Sequence, residues 1–468
     1  MKSVNEIVAS LQASARQAQH PGSVYFLGIG GIGMSALARY FHSIGVQVSG
    51  YDKTATTLSR QLMQEGIEIH YEDNLQLLDK QAQLVVFTPA IPAAHAELNY
   101  YLQNNYPVVK RSDVLGAITS NGFSIAVAGT HGKTTTSSMI AHILRHSEYG
   151  CNAFLGGIAV NYNTNFWSSS NDVSVAEADE YDRSFLKLNP DIAIISSMDA
   201  DHLDIYGTPE NMEQAFIDFA ARIKPGGLLI SRYGLKRAAD LIAPTHLTYD
   251  VENAAADISA LNIQVQNGSY CFDVKVQQQI IQNVLLNMGG RHNIENATAA
   301  IAVAVTLGID AAKIKAAVQS FSGVKRRFEY IIKSDEQVFV DDYAHHPEEL
   351  RALITGAKGL YPSKKCTVIF QPHLFSRTKD HADGFAQVLD MADEVVLLPI
   401  YPARELPMPG VSSQLIASRM ANKNVQIMPK EALPGYVKNH QPQLLITAGA
   451  GDIDTMLEAI KNSISTQQ

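Results

Sequence analysis

The chain has 468 residues, 46% of them apolar, with 37 Lys and Arg against 46 Asp and Glu and a formal charge of -9. That length exceeds what one hydrophobic core organises, so two or three domains are expected, with three as the working number, and the negative balance argues against broad attraction to nucleic acid or an anionic membrane while leaving room for a local basic pocket. No uninterrupted apolar stretch is long enough to span a bilayer, and Cys151, Cys271 and Cys366 are scattered without metal-ligand spacing, so a soluble cytoplasmic protein with reduced thiols is expected. The first segment places Val4, Ile7, Val8 and Leu11 at helical spacing instead of the continuous apolar core of a signal peptide.

After it, short β-rich runs repeatedly feed polar or glycine loops and then helical patterns, the signature of doubly wound α/β domains. The first series opens with a strand over 24–27, passes through a glycine loop to a helix over 34–43, returns over 46–49 and closes near Ile118. Ser120-Asn121-Gly122 reads as a turn between domains. A second series opens with a strand over 124–128, a second glycine loop and a helix over 137–145, with further strands over 173–176 and 192–196. The stretch 247–286 alternates like antiparallel strands, an excursion before a helix beginning near Asn293. A third series follows Arg327, with strands over 338–340, 366–370, 395–398 and 444–447. The expected division is 1–119, 120–327 and 328–468: a Rossmann-like domain, a central P-loop ATPase-like α/β domain and a second Rossmann-like domain.

Ligand groups are expected at the carboxyl ends of such strands. Gly28-Ile29-Gly30-Gly31-Ile32-Gly33 follows a strand and precedes a helix, with Asp52 after the next strand. Glycines there allow backbone N–H groups to approach a diphosphate, and a carboxylate in Asp52's position can accept ribose hydroxyls. The geometry alone serves NAD, FAD or a UDP-sugar equally. Gly129-Thr130-His131-Gly132-Lys133-Thr134-Thr135 also follows a strand and opens a helix. Its N–H groups can cradle phosphates, Lys133 can neutralise the β- and γ-phosphates, and the Thr134 hydroxyl can bind Mg²⁺. Val127 stands where the general P-loop has its first glycine, so the loop is a shortened variant. Glu177 and His202 follow strands at the same sheet edge and can complete a magnesium site, Glu177 being the better ligand for a hard cation. Asp179, Glu180 and Asp182 read as a solvated acidic loop. Asp341-Asp342-Tyr343-Ala344-His345-His346-Pro347 and Gln371-Pro372-His373-Leu374-Phe375-Ser376-Arg377 gather carboxylate, imidazole and guanidinium at strand ends, which suits a zwitterion, with Arg377 on its carboxylate. Zinc is the competing reading, disfavoured because adjacent His345 and His346 point their rings apart.

In order along nearly the whole chain, GIGGIGMSALA, GTHGKTTT, AEADE, DHLD, the segment Gly290 to Asn296, Arg326-Arg327-Phe328, DDYAHHP, FQPH and Tyr401 to Glu405 resemble the Mur ligases, most closely their alanine-adding branch. The stretch 203–222 has no lysine that could be carbamoylated as in several later-acting members, which favours that branch, although Leu374 stands where it often carries arginine. The resemblance implies ATP- and Mg²⁺-dependent (Mn²⁺ is an alternative) ligation of L-alanine to the lactyl carboxylate of UDP-N-acetylmuramate, through an acyl phosphate, in peptidoglycan synthesis. It implies Gly28, Gly30, Gly31, Gly33, Asp52, His70 and Arg111 near the UDP-sugar, and Lys133, Thr134, Glu177 and His202 around ATP and its metals. Asn293, Asn296, Arg327 and Asp342 would contact ATP, and Tyr343, His345, His373 and Arg377 would surround alanine; Lys133, His202 and Arg377 would carry the chemistry. The alternatives are a relative that attaches a tripeptide to the same UDP-sugar, an NAD-dependent oxidoreductase built on the first glycine loop, and a non-catalytic nucleotide sensor. Monomer and dimer remain equally open.

Overall fold

The computed structural model describes residues 2–17, 22–200 and 202–465. Three sheets correspond to the three series. The first is formed by β1 (Ser23–Leu27), β2 (Gln47–Tyr51), β3 (Glu68–His70), β4 (Leu84–Phe87) and β5 (Val108–Lys110) in the order β3-β2-β1-β4-β5, with every neighbouring pair parallel. All five residues of β1 are buried, as a parallel strand covered by helices on both faces requires. The strand order reverses direction at β1, so the first glycine loop opens at the switch point where such sheets bind ligands.

The second sheet comprises β6 (Phe123–Ala128), β7 (Asn152–Ala159), β8 (Thr164–Trp167), β9 (Val173–Glu177), β10 (Ile192–Ile195), β11 (Leu228–Arg232), β12 (Thr245–Val251), β13 (Ile258–Gln266), β14 (Ser269–Val276) and β15 (Gln279–Leu286). Its order is β15-β14-β13-β12-β11-β10-β6-β9-β7-β8, which puts the second glycine loop, after β6, between the ends of β9 and β10. Two expectations fail against this sheet. Ser120 and Asn121 are the last turn of the helix Arg111–Asn121 and not a turn between domains, with Ser120 Oγ donating back to the Gly116 carbonyl at 2.7 Å. β12 pairs in parallel with both β11 and β13, so antiparallel pairing cannot begin at 247. β13 starts alongside the end of β12, Tyr249 opposite Ile258, so the short return between them suffices without a crossover helix. From β13 onward the expectation holds, because connections of two residues allow only antiparallel neighbours; Asn267 and Gly268, φ 48° and 70°, supply the two positive φ values of such a turn.

The third sheet contains β16 (Glu329–Lys333), β17 (Val338–Asp342), β18 (Cys366–Phe370), β19 (Glu394–Leu397), β20 (Val425–Ile427) and β21 (Leu444–Ala448), in the order β16-β17-β21-β18-β19-β20, parallel except for the edge strand β16. The chain divides into two compact units: residues 1–261, 274–282 and 295–318 in the first, and 262–273, 283–294 and 319–468 in the second. In the first unit one apolar cluster runs from Phe26, Phe41 and Val48 around the first sheet to Phe154, Phe166, Ile195 and Phe216 around the second. Ile7, Val8 and Leu11 of the helix Val4–Gln17 join it, as their spacing predicts. Phe339, Ile369, Val396 and Leu445 form the corresponding core of the second unit. Among the described residues no helix is long and apolar enough to cross a membrane.

Candidate active site

In the first unit, the N–H groups of Gly28 and Ile29 donate to the Tyr51 carbonyl at 2.8 and 3.1 Å, which extends the β1–β2 pairing into the loop. Gly30 N–H donates to Asp52 Oδ2 at 2.7 Å, and Oδ1 of the same carboxylate accepts from Thr54 N–H at 3.2 Å. Asp52 therefore clamps the loop as well as standing where a ribose would lie. A Cβ on Gly30 would come within 2.8 Å of Asp52 Oδ2, and one on Gly33 within 2.7 Å of an Arg111 guanidinium nitrogen, so the glycines admit these two side chains. Beyond Gly31, the first N–H groups of the helix Ile32–Ser43 have no partner within the helix and suit an anion. His70 lies at the end of β3: its Nδ1 meets the Glu72 carbonyl at 2.8 Å and its Nε2 the Tyr25 hydroxyl at 2.7 Å, which in turn donates to buried Glu97.

In the second loop Gly129 and Gly132 have φ of 133° and 82°, values that side chains rarely adopt. A Cβ on Gly132 would also lie 2.6 Å from Asn296 Oδ1, which accepts the Thr136 hydroxyl at 3.1 Å. Thr130 Oγ1 pairs with Ser197 Oγ at 2.8 Å, and His131 N–H donates to that same oxygen at 2.9 Å. Thr134 Oγ1 donates to Glu177 Oε2 at 2.8 Å, and a Cβ on Gly156 would sit 2.0 Å from that oxygen, so the absent side chain at Gly156 leaves room for the carboxylate. Lys133 Nζ donates to the Gly129 carbonyl at 2.9 Å and to Glu180, whose carboxylate oxygens lie 2.8 and 2.6 Å away. Glu180 is fully buried, which corrects the reading of it as part of a solvated loop. Of that acidic group only Asp182 is exposed, paired loosely with Lys110 at 3.3 Å. His202 starts the short helix Leu203–Tyr206 at φ 49°, with its ring edge-on to Tyr181 at 5.3 Å. Asp201 of DHLD lies outside the described residues.

The first loop opens onto a cavity of about 300 Å³, bounded by Gly31 and Gly33, Thr88, Arg111, Phe154, Gly156, Glu177 and Asp179, which the second loop reaches through Glu177, the acceptor of the Thr134 hydroxyl. A diphosphate-type loop, a half-buried guanidinium and the carboxylate bonded to the phosphate loop thus face one space. Sequence gives no role at the site to Gly156, to the serine pair 196–197 or to Glu180 as a buried partner of Lys133; each acts on a residue at least 20 positions away, so no local spacing marks it.

In the second unit, Asp342 Oδ2 accepts Phe328 N–H and Oδ1 accepts Ala344 N–H, both at 2.7 Å, and burial pushes its carboxyl up to about 6. Asn293 Nδ2 donates to the Gly289 carbonyl at 2.7 Å, while Arg327 is exposed. Tyr343, His345, His373 and Arg377, the set the resemblance implies around alanine, lie next to one another. Tyr343 and His345 rings lie 5.2 Å apart, His345 and His373 6.3 Å, and Arg377 reaches His373 Nδ1 at 3.3 Å. His373 stacks on Tyr401 at 5.9 Å, with burial first and then the Arg377 charge holding its ring below the usual imidazole range. His346 turns away to His381, 4.6 Å distant, so the adjacent rings do diverge. Glu405 fixes the start of the helix Phe375–Asp380, accepting Ser376 N–H at 2.9 Å.

Three family models match in chain order: the Mur ligase family catalytic domain over residues 23–122, the Mur ligase middle domain over 127–304 and the Mur ligase glutamate ligase domain over 326–451. A UDP-N-acetylmuramate–L-alanine ligase of Flavobacterium johnsoniae is 48% identical over 95% of this chain and 98% of its own length. Its counterpart in Porphyromonas gingivalis is 46% identical over 95% and 99%. The crystal structure of UDP-N-acetylmuramate-alanine ligase from Thermotoga maritima superposes with a TM-score of 0.80 at 28% identity, over 95% of this chain and all of that one. With three family models, relatives of 46–48% identity and a solved structure all matching along its length, the chain belongs to the Mur ligase family.

Proposed function

We propose that the chain joins L-alanine to the lactyl carboxylate of UDP-N-acetylmuramate with conversion of ATP to ADP and phosphate, the first amino-acid addition of peptidoglycan synthesis, in the cytoplasm. The observation that carries this reading is the cavity at the first loop: Arg111 and the first glycine loop suit a UDP-sugar, and the same wall holds Glu177, whose carboxylate accepts the Thr134 hydroxyl of the second loop. An oxidoreductase would have no use for the second loop, and a sensor no use for a common reaction space. Gly28, Gly30, Gly31 and Gly33 with Asp52, His70 and Arg111 hold the UDP-sugar in this proposal, within a domain ending near residue 119. Gly129 to Thr135, Asn293, Asn296, Arg327 and Asp342 hold ATP in a central domain of 120–327, and Tyr343, His345, His373 and Arg377 hold alanine in 328–468.

Thr134 and Glu177 fit a magnesium ion: both offer oxygen, 2.8 Å apart, beside a phosphate loop, and a hard cation takes its remaining ligands from phosphates and water. His202 is a third donor in this proposal. When bound, the ion neutralises charge that develops on the transferred phosphoryl oxygens. Lys133 supplies the same neutralisation from the protein side while the lactyl carboxylate attacks the γ-phosphorus and ADP leaves, giving an acyl phosphate. Arg377 orients the alanine carboxylate, and the amine adds to the acyl carbon and expels phosphate, leaving the amide. Phosphate release measured with ATP, Mg²⁺ and UDP-N-acetylmuramate should depend on L-alanine, with glycine, L-serine, a tripeptide and no amine compared in parallel. Release with the tripeptide alone would move the chain to the peptide-attaching members, and release with no amine preference would sink the assignment.

A further inference from the structure

The helix Ile32–Ser43 carries the first glycine loop, yet it packs against β7 and β8 of the second sheet, and β7 lies beside β9, the strand that ends in Glu177. Tyr40 meets Phe154 at 5.4 Å and Phe166 at 6.1 Å between ring centroids, and Phe154 and Phe166 meet each other at 5.3 Å. At the loop end of this contact stands Asn165 on β8, a fully buried side chain. Its Nδ2 donates to the Ile32 carbonyl, in the last residues of the glycine loop, and to Ser35 Oγ at 2.9 Å. Its Oδ1 accepts from the Arg39 guanidinium, whose other nitrogens form a two-pronged pair with Glu65 at 2.8 and 2.6 Å. A buried amide with both ends satisfied by another element's backbone and side chains fixes direction as well as distance, which the apolar contact alone does not.

We propose that Asn165 is a positioning residue that holds the UDP-sugar loop in register with the phosphate-transfer site. The connection is continuous. Asn165 grips Ile32, the β7–β8 hairpin bearing Asn165 also bears Gly156, and the space at Gly156 receives the Glu177 carboxylate that accepts Thr134. β7 is anchored on β9, so the phosphate-loop side of this chain of contacts keeps its place when the grip on Ile32 is lost. What loosens is the first loop, and with it the alignment of the sugar's carboxylate against the γ-phosphate, where small displacements carry large rate penalties. This inference rests on the proposed function, in which the first loop binds the UDP-sugar.

The test measures equilibrium binding of UDP-N-acetylmuramate and of ATP with Mg²⁺, together with steady-state ligation, in the full chain and in two variants. Asn165→Ala removes both ends of the contact. Asn165→Asp keeps the volume and the acceptor for Arg39 but presents oxygen to the Ile32 carbonyl, which guards against a variant that fails to fold. Both are expected to weaken UDP-sugar binding about tenfold, the loss of one buried amide contact, and to lower kcat, while ATP affinity stays within about twofold. A structural defect alone would lower the active fraction and leave both dissociation constants unchanged. That result, or an equal loss for the two ligands, overturns the proposal. Failure of the unaltered chain to bind UDP-N-acetylmuramate would instead overturn the functional reading on which it stands.

Discussion

In the first glycine loop the charged partner of the loop is a carboxylate that accepts a backbone N–H, Asp52 on Gly30, and the lone cation of the cavity wall, Arg111, reaches in from a different helix. In the second, the loop brings its own cation and hydroxyl, and both already rest on carboxylates, Lys133 on Glu180 and Thr134 on Glu177. A ligand of the first loop is received by backbone geometry. A ligand of the second must exchange one set of charge pairs for another. Under the proposed function, the same strand–loop–helix plan serves binding when its charges lie outside the loop and phosphoryl transfer when they lie inside it.

The largest effect that separates the loops is expected from Lys133→Ala, which removes the cation from the second and leaves the first untouched. Ligation should fall by more than about 10³-fold, the scale of losing a charge that stabilises a transferring phosphoryl group, with UDP-sugar binding within about twofold of the parent. Phosphate release and a binding titration report the two quantities, and near-normal turnover would refute the role given to Lys133. Glu180→Gln comes next. It keeps the shape of the Lys133 partner and removes its charge, so kcat should drop about tenfold to a hundredfold. Glu180→Ala should in addition destabilise the first unit by about 3 kcal/mol, because it leaves a largely buried ammonium without a counter-charge. If Glu180→Gln changes neither kcat nor the KM for ATP, the pair is only a packing contact.

A paired glycine substitution sharpens the comparison at smaller size. Gly30→Ala puts a methyl group 2.8 Å from Asp52 Oδ2 and breaks the clamp on the first loop; Gly132→Ala puts one 2.6 Å from Asn296 Oδ1 at a φ of 82°. Gly30→Ala should raise the KM for UDP-N-acetylmuramate about tenfold with little change for ATP, and Gly132→Ala should do the reverse. A common effect of both on both substrates would mean that the loops are not separable binding elements.

Much of this arrangement was legible beforehand because its signals are local. Buried parallel strands are short continuous apolar runs, and Val24 to Leu27, Ser124 to Ala128 and Cys366 to Phe370 all form where those runs stand. Both glycine loops, and the meeting of His373 with Arg377, are also set by neighbours in sequence. Helix starts were less legible: the helices begin at Ile32 and Lys133, earlier than the apolar period suggests, since a loop's last residues are also the first helical turn. Ser120 and Asn121 carry turn chemistry, yet the helix Arg111–Asn121 absorbs them through packing on the helix Val4–Gln17. Glu180 reads as solvated because nothing near it in sequence is apolar enough to imply burial; its partner is 47 residues away. Asn165 was invisible for the same reason, its contacts lying more than 120 positions distant.

Glu180 also has a counterpart that reveals what an unmatched buried carboxylate does. Asp341, at the end of β17, is fully buried; it accepts the Thr447 hydroxyl at 2.6 Å, but its nearest cation, Arg326 Nε, is 3.7 Å away and neither that nitrogen nor Asp341 Oδ2 has a hydrogen-bond partner among the described residues. Burial outweighs the Thr447 and Arg326 contributions and pushes the Asp341 carboxyl up to about 7, whereas an unfolded chain would ionise it near 3.8. Between those values the folded protein holds a proton that the unfolded chain has released, so this group stabilises the fold fully below about pH 4 and loses that contribution as pH rises through about 7. Asp341→Asn keeps an acceptor for Thr447 and abolishes the titration. The second unit of the unaltered chain should therefore melt at a lower temperature at pH 8 than at pH 5, and the variant should show a smaller difference, by about 2–4 °C for each kcal/mol removed. Asp342, pushed up to about 6 by burial, leaves a residual slope in the variant. Thermal melts of both proteins at the two pH values decide the matter: equal slopes would mean that Arg326 neutralises Asp341 in the fold as fully as Lys133 neutralises Glu180.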